Sequence, residues 1–152
     1  MVRCLLKPPC IVLDGRTIVV VDDDEYLARM VADLLRLEGY QVWTASDGLE
    51  GSSTYYRHQA QTVLTDIDMP QLDGFEMMRC IRAINPSARV IYMSGSPERY
   101  RRTLVAEAQN FGASVLRKPF NKTALLSMVL SGSPYRSTNQ HKITWNEGVV
   151  IR

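Results

Sequence analysis

No stretch of the 152 residues approaches the roughly 20 consecutive apolar positions that a membrane-spanning helix requires. The first residues carry Arg3 and Lys7 but meet Pro8-Pro9 before a signal-like apolar core develops, so the expected compartment is the cytoplasm and no membrane partner is expected. Cysteine is scarce as well. Cys4, Cys10 and Cys80 are odd in number and have no metal-site spacing with His58 or His141, which argues against a disulfide framework and fits a reducing environment. A strong charge bias is also missing. The formal charge is +2, and the basic excess lies at the ends, leaving twelve basic and fourteen acidic residues in 17–131. That balance excludes a basic nucleic-acid-binding surface for the folded part, and no DNA-binding motif follows Leu130, so output requires a partner rather than direct nucleic-acid contact. Finally, no glycine-rich loop follows the first apolar run. Four acids stand there instead, and they would repel the phosphates of a nucleotide or flavin unless a metal intervened.

What is present is a repeated alternation of short apolar runs and helical patterns. Thr17-Ile18-Val19-Val20-Val21 is mostly β-branched and does not alternate, as suits a strand covered on both faces. Leu27, Met30, Val31, Leu34, Leu35 and Leu37 then recur at helical spacing until Gly39. Tyr40–Ala45 reads as a second strand, and Ser46-Asp47-Gly48 opens a helix to about His58 in which Tyr55 and Tyr56 pack. Thr62–Asp66 is the third strand; Phe75, Met78, Ile81 and Ile84 give the next helix its inner face until Asn85-Pro86 breaks it. Arg89–Met93 is a fourth strand, followed by Ser94-Gly95-Ser96-Pro97, with Pro97 in the first turn of a helix running to Gly112. Ser114–Arg117 is a fifth strand, and Lys122–Leu130 a last amphipathic helix. The expected organisation is an irregular extension over 1–16, one domain over 17–131, and a polar tail or linker over 132–152 with Trp145 and Val149-Val150-Ile151 as isolated apolar points.

Strands that alternate with helices imply right-handed crossovers and a parallel sheet with helices on both faces, an α/β fold. Chemistry in such sheets gathers at the carboxyl edge of the strands. The strand tips carry Asp22 and Asp23, Asp66, Ser94 and Lys118. Two close carboxylates repel by about 4 kcal/mol at 4 Å and an effective dielectric of 20, and a divalent cation removes the conflict. Hard oxygen ligands of this kind suit Mg²⁺, which would shield Asp66 from an anionic phosphoryl donor and let its oxygen attack phosphorus. Ser94 can donate to one phosphoryl oxygen and Lys118 can neutralise another. Asp24 and Glu25 are explained without chemistry, as the acidic first turn of a helix.

Val20-Val21-Asp22-Asp23-Asp24-Glu25, Asp66-Ile67-Asp68-Met69-Pro70-Gln71-Leu72-Asp73-Gly74, Met93-Ser94-Gly95 and Lys118-Pro119-Phe120 together resemble the receiver domain of two-component response regulators, over about Thr17 to Leu130. The resemblance implies a flavodoxin-like, doubly wound sheet of five parallel strands in the order 2-1-3-4-5. It implies that Asp66 accepts a phosphoryl group from a phosphohistidine on a sensor histidine kinase or histidine phosphotransfer protein. Asp23 and Asp66 would be direct Mg²⁺ ligands, with Asp22 acting mainly through water and the backbone carbonyl of Asp68 completing the set. Ser94 would be the switch hydroxyl and Lys118 the phosphate partner. Gly95 would keep the approach open, the Lys118-Pro119 bond would be cis, and Asp68 and Ser96 would tune hydrolysis of the acyl phosphate. The face between the fourth and fifth helices is the family's usual signalling surface, which makes it the place for a homodimer if one forms, and the output partner is not specified. Two departures fall on that face: Val115 replaces the aromatic expected three residues before the lysine, and the segment from Gly95 to Gly112 is long and basic near Arg101-Arg102.

Two other readings compete. Asp66-Ile67-Asp68 also fits the Asp-x-Asp pair of haloacid-dehalogenase-like phosphatases, which use Mg²⁺. That motif normally sits on the first strand with further acids late in the chain, whereas none follows Lys118 before Glu147. A receiver-like scaffold that works without phosphorylation would not need the full set Asp22, Asp23, Asp66, Ser94 and Lys118.

Overall fold

The computed structural model describes residues 16–131, together with 143–144 and 150–151. Most of the expected N-terminal extension, and Trp145 and Val149 of the C-terminal segment, lie outside the described residues. In chain order the elements are β1 (Thr17–Val21), α1 (Glu25–Leu37), β2 (Gln41–Ala45), α2 (Gly48–His58), β3 (Thr62–Asp66), α3 (Gly74–Ile84), β4 (Arg89–Ser94), a 3-10 turn (Pro97–Tyr100), α4 (Arg101–Phe111), β5 (Ser114–Arg117) and α5 (Lys122–Leu130). Five parallel strands form one sheet in the order β2-β1-β3-β4-β5. This is the flavodoxin-like order expected from the sequence. Two further strands, β6 (Ile143–Thr144) and β7 (Val150–Ile151), pair antiparallel as a separate ribbon, where the sequence showed no periodic pattern.

The period of two along each strand divides the core into two layers. Val19, Val21, Val63, Tyr92 and Val115 face one side and pack with Phe75, Met77, Met78, Ile81 and Leu104. Ile18, Val20, Leu64, Ile91, Met93 and Leu116 face the other and pack with Val31, Leu35, Leu125, Met128 and Val129. β1 and β3 are buried throughout, which is why their sequences do not alternate. β2, at the edge, exposes Gln41 and Thr44.

Several inner faces differ from the sequence expectation. In α1 the buried set is Ala28, Val31, Ala32 and Leu35, while Met30 and Leu37 are 43% and 80% exposed. Val31 and Leu35 are buried as expected, and Ala28 and Ala32 complete a stripe at i, i+3, i+4 and i+7 that leaves Met30 and Leu37 outside it. In α3, Met77 is fully buried and Ile84, the last helical residue, is 71% exposed beyond the sheet. The helix expected from Pro97 divides into the 3-10 turn and α4, with Arg99 N–H donating to Ser96 O at 3.1 Å in the tighter pattern. α5 buries Leu125, Met128 and Val129 but leaves Leu130 exposed.

The helix starts show why the loops above the sheet are short. Asp24 accepts from the N–H groups of Tyr26 and Leu27, Asp47 from those of Leu49 and Glu50, and Asn121 from that of Ala124. Asp73 and Glu76 form a reciprocal capping box at the start of α3. Each cap lies at the carboxyl edge of the sheet and anchors a βα loop there.

Candidate functional site

Asp22, immediately after β1, is 1% exposed, its backbone N–H donating to Ala45 O at 3.1 Å and its Oδ1 accepting from Asp24 N–H at 2.9 Å. The strand thus delivers Asp22 inward. Asp23, the next residue, is exposed. Asp66 ends β3 and is 8% exposed. Carboxylate oxygens of Asp22, Asp23 and Asp66 lie within 4.8 Å of one another.

A cation meets this negative cluster. Lys118 Nζ donates to Asp22 Oδ2 at 2.7 Å and to Asp66 Oδ1 at 3.2 Å. Its backbone is fixed because Lys118 N–H continues the β5 ladder to Ser94 O at 2.8 Å, and the Lys118-Pro119 peptide is cis, as expected. Burial pushes the Asp66 carboxyl up to about 6; Lys118 opposes the shift, and the charges of Asp22 and Asp23 add to it. Burial alone would lower the Lys118 ammonium, but its bonds to Asp22 and Asp66 hold it above the ordinary lysine value. Asp66 is therefore mostly ionised at neutral pH, held in a low-dielectric edge beside its countercharge.

Ser94, at the tip of β4, is 1% exposed, and its Oγ accepts from the exposed Ser96 N–H at 3.1 Å. A Cβ on Gly95 would meet no atom within 4 Å, so the glycine leaves open space above the strand. At Gly74 the reverse holds: a Cβ would come to 2.4 Å from Asp66 O, so only glycine lets α3 start this close to the β3 tip. Asp68, two residues past Asp66, is exposed, and its Oδ1 accepts from the Tyr100 hydroxyl. The structure therefore brings Asp22, Asp23, Asp66 and Lys118 into one cluster, with Ser94 at the β4 tip and Gly95, Ser96, Asp68 and Pro119 on the loops that follow the strands.

Two features escaped the sequence reading. Tyr100 reaches the rim through its hydroxyl, a contact that depends on the fold of the 3-10 turn and has no local signal. Behind it, Arg82 Nη1 donates to Glu107 Oε2 at 2.6 Å and the Tyr92 hydroxyl donates to the same oxygen at 2.7 Å, a buried cluster joining α3, α4 and β4. Arg82 lies 3.8 Å over the Phe111 ring. A charged residue at an inward helical position was the available clue to both Arg82 and Glu107.

The cluster fits a hard divalent cation: three carboxylates converge, all donors are oxygen, and the single charge of Lys118 offsets only part of theirs. No helix among the described residues is long and apolar enough to cross a membrane.

Residues 18–130 match the family model described as the response regulator receiver domain. Among curated proteins, the chain is 31% identical over 138 residues to the transcriptional regulatory protein GlrR of Escherichia coli, covering 89% of this chain and 30% of that protein. It thus spans under a third of that relative's length. It is 30% identical over 114 residues to the chemotaxis protein CheY of Bacillus subtilis, covering 74% of this chain and 92% of the relative. Among solved structures, the receiver domain of a sensor histidine kinase from Pseudomonas aeruginosa, with a magnesium ion coordinated in its active-site cleft, superposes with a TM-score of 0.66 at 25% identity over 77% of this chain and 96% of that one. A chemotaxis CheY protein of Vibrio cholerae gives 0.66 at 28% identity, over 76% and 96%.

Proposed function

This chain belongs to the response regulator receiver family, and we propose that Asp66 is its phosphoacceptor. The observation that carries the assignment is the position of Asp66: at a strand tip, within 4.8 Å of two other carboxylates and 3.2 Å from the ammonium of Lys118. An ionised Asp66 oxygen attacks the phosphorus of a phosphohistidine; the P–N bond breaks and its electron pair returns to the imidazole nitrogen of the donor. An acyl phosphate remains on Asp66, adding about −1.5 to −2 charges to the sheet edge.

Asp22, Asp23 and Asp66, with the backbone carbonyl of Asp68, are the residues that would hold Mg²⁺. Bound there, the ion would supply charge neutralisation for the carboxylates and the anionic donor. Lys118, already paired with Asp22 and Asp66, transfers one of its hydrogen bonds to a phosphoryl oxygen. Ser94 donates its hydroxyl to another, giving up its acceptor contact with Ser96 N–H. That movement shifts the loop from Gly95 onward between two arrangements, which constitutes the signal. Gly95 leaves room for the group, Pro119 fixes the Lys118 backbone, and Asp68 and Ser96 tune the lifetime of the acyl phosphate.

The donor is a sensor histidine kinase or histidine phosphotransfer protein of the cytoplasm. The output partner meets the face between α4 and α5, where a second copy of the chain can also dock. The assignment is tested by intact mass after incubation with acetyl phosphate and Mg²⁺. A phosphate-sized, Mg²⁺-dependent gain in the wild type that is lost in Asp66→Asn supports it, and a gain that survives in Asp66→Asn overturns it. Slow decay of the adduct distinguishes a signalling switch from a phosphatase of the Asp-x-Asp type.

A further inference from the structure

Tyr100 is absent from the group of strand-tip residues, yet it is built into the site. It closes the 3-10 turn after β4, and its hydroxyl donates to Asp68 Oδ1. The ring is supported from below. It packs edge-on against Phe75 with centroids 5.7 Å apart, and Phe75 lies 4.8 Å from the ring of Tyr92. Tyr92 is held in turn by its hydrogen bond to Glu107. The phenol is therefore a braced arm with its tip on a carboxylate two residues from Asp66. The bond to Asp68 also holds the Tyr100 hydroxyl protonated above the ordinary tyrosine value.

We propose that Tyr100 is a positioning residue for phosphoryl transfer: by holding the Asp68 carboxylate towards the 3-10 turn, it keeps that charge off the path of an anionic donor to Asp66. The inference rests on Asp66 being the acceptor, as proposed above. Asp22, Asp23 and Asp66 already crowd the edge with negative charge, and Asp68 adds a fourth carboxylate on an exposed loop. Free to rotate, it would repel a phosphoryl donor. A hydroxyl donor satisfies Asp68 without adding another charge, and the support of Phe75 means that little side-chain freedom is lost in making the bond.

The test compares the rate of mass gain from acetyl phosphate and Mg²⁺ in the wild type, Tyr100→Phe, Asp68→Asn and the double variant. Tyr100→Phe keeps the ring and its packing on Phe75. Released from its partner, Asp68 should slow phosphorylation by about three- to tenfold, the size of one partly screened like-charge contact. Adding Asp68→Asn should restore the rate to that of Asp68→Asn alone, because no charge is left to misplace. A merely structural role for Tyr100 would slow the double variant as much as the single one, and that result would overturn the inference. So would equal rates in the wild type and Tyr100→Phe, while the assignment of Asp66 would stand. No Asp66-dependent gain in the wild type would overturn that assignment, and this inference with it.

Discussion

Asp66 has opposing roles in stability and reactivity. Its folded value of about 6 lies above the ordinary 3.8, so the folded chain binds the Asp66 proton more tightly than the unfolded chain does. The contribution is fully present below the unfolded value and is lost as pH rises through about 6. At neutral pH without metal, the ionised carboxylate therefore destabilises the fold that presents it. Replacing Asp66 by Asn should raise the metal-free thermal midpoint at pH 7 by about 3–6 °C, from the usual conversion of a small free-energy gain in a domain of this size. Lys118 keeps its 2.7 Å partner Asp22 in that variant, so the substitution does not strand a charge. Midpoints measured between pH 4 and pH 7 check the sign: the advantage of Asp66→Asn should grow with pH, and a constant difference would refute the account.

At the scale of the element, α4 is tied to α3 and to the sheet through one charged residue at an inward position. Glu107 is buried within it and receives both Arg82 from α3 and the Tyr92 hydroxyl from β4. Removing one member of a buried ion pair leaves the other uncompensated and costs about 3–5 kcal/mol. Glu107→Ala should therefore lower the urea-derived stability by that amount, with Arg82 left buried under Phe111. Replacing all three members by apolar residues, Glu107→Leu with Arg82→Met and Tyr92→Phe, should recover most of the loss, because no buried donor is then left without its acceptor. A cost below about 1 kcal/mol for Glu107→Ala would show the pair to be solvated. α5 is secured differently: Arg89 from β4 donates to the Val129 and Met128 carbonyls at 3.0 and 2.7 Å, satisfying acceptors at the helix end.

Across the whole molecule, the parallel sheet gathers residues from four strand tips at one edge, separated by as many as 96 positions from Asp22 to Lys118. A cation that binds this edge only in the folded chain must stabilise all of it. At about 100 times its dissociation constant, Mg²⁺ should add about 2.7 kcal/mol to the unfolding free energy. Asp23→Asn, at the most exposed of the three carboxylates, should reduce that gain with little change in the metal-free stability. Calorimetry across a Mg²⁺ series checks both statements, and a gain unaltered in Asp23→Asn would remove Asp23 from the ligand set. A dimer formed through α4 and α5 would not produce this dependence.

How much of this was legible in the chain follows from how local each cause is. Strand identity and the helix limits at Gly39, Asp47-Gly48, Asn85-Pro86 and Gly112 are written in short segments. Their β-branched runs, side-chain oxygens and missing Cβ act within a few residues of themselves. The order of apolar runs and helices then implied a parallel sheet, and its geometry brought Asp22, Asp23, Asp66 and Lys118 to one edge without any distance being known. Other features were decided only in three dimensions. Ala28 and Ala32 join Val31 and Leu35 on the buried stripe of α1, while Met30 and Leu37 fall outside it, because several helical stripes were apolar and only packing selected one. The tie between Tyr100 and Asp68, and the burial of Arg82 with Glu107, depend on partners 32 and 25 positions apart whose approach no periodicity encodes. A sequence pattern reports what a residue does to its own backbone and which face it turns inward; the packed fold determines what that face meets.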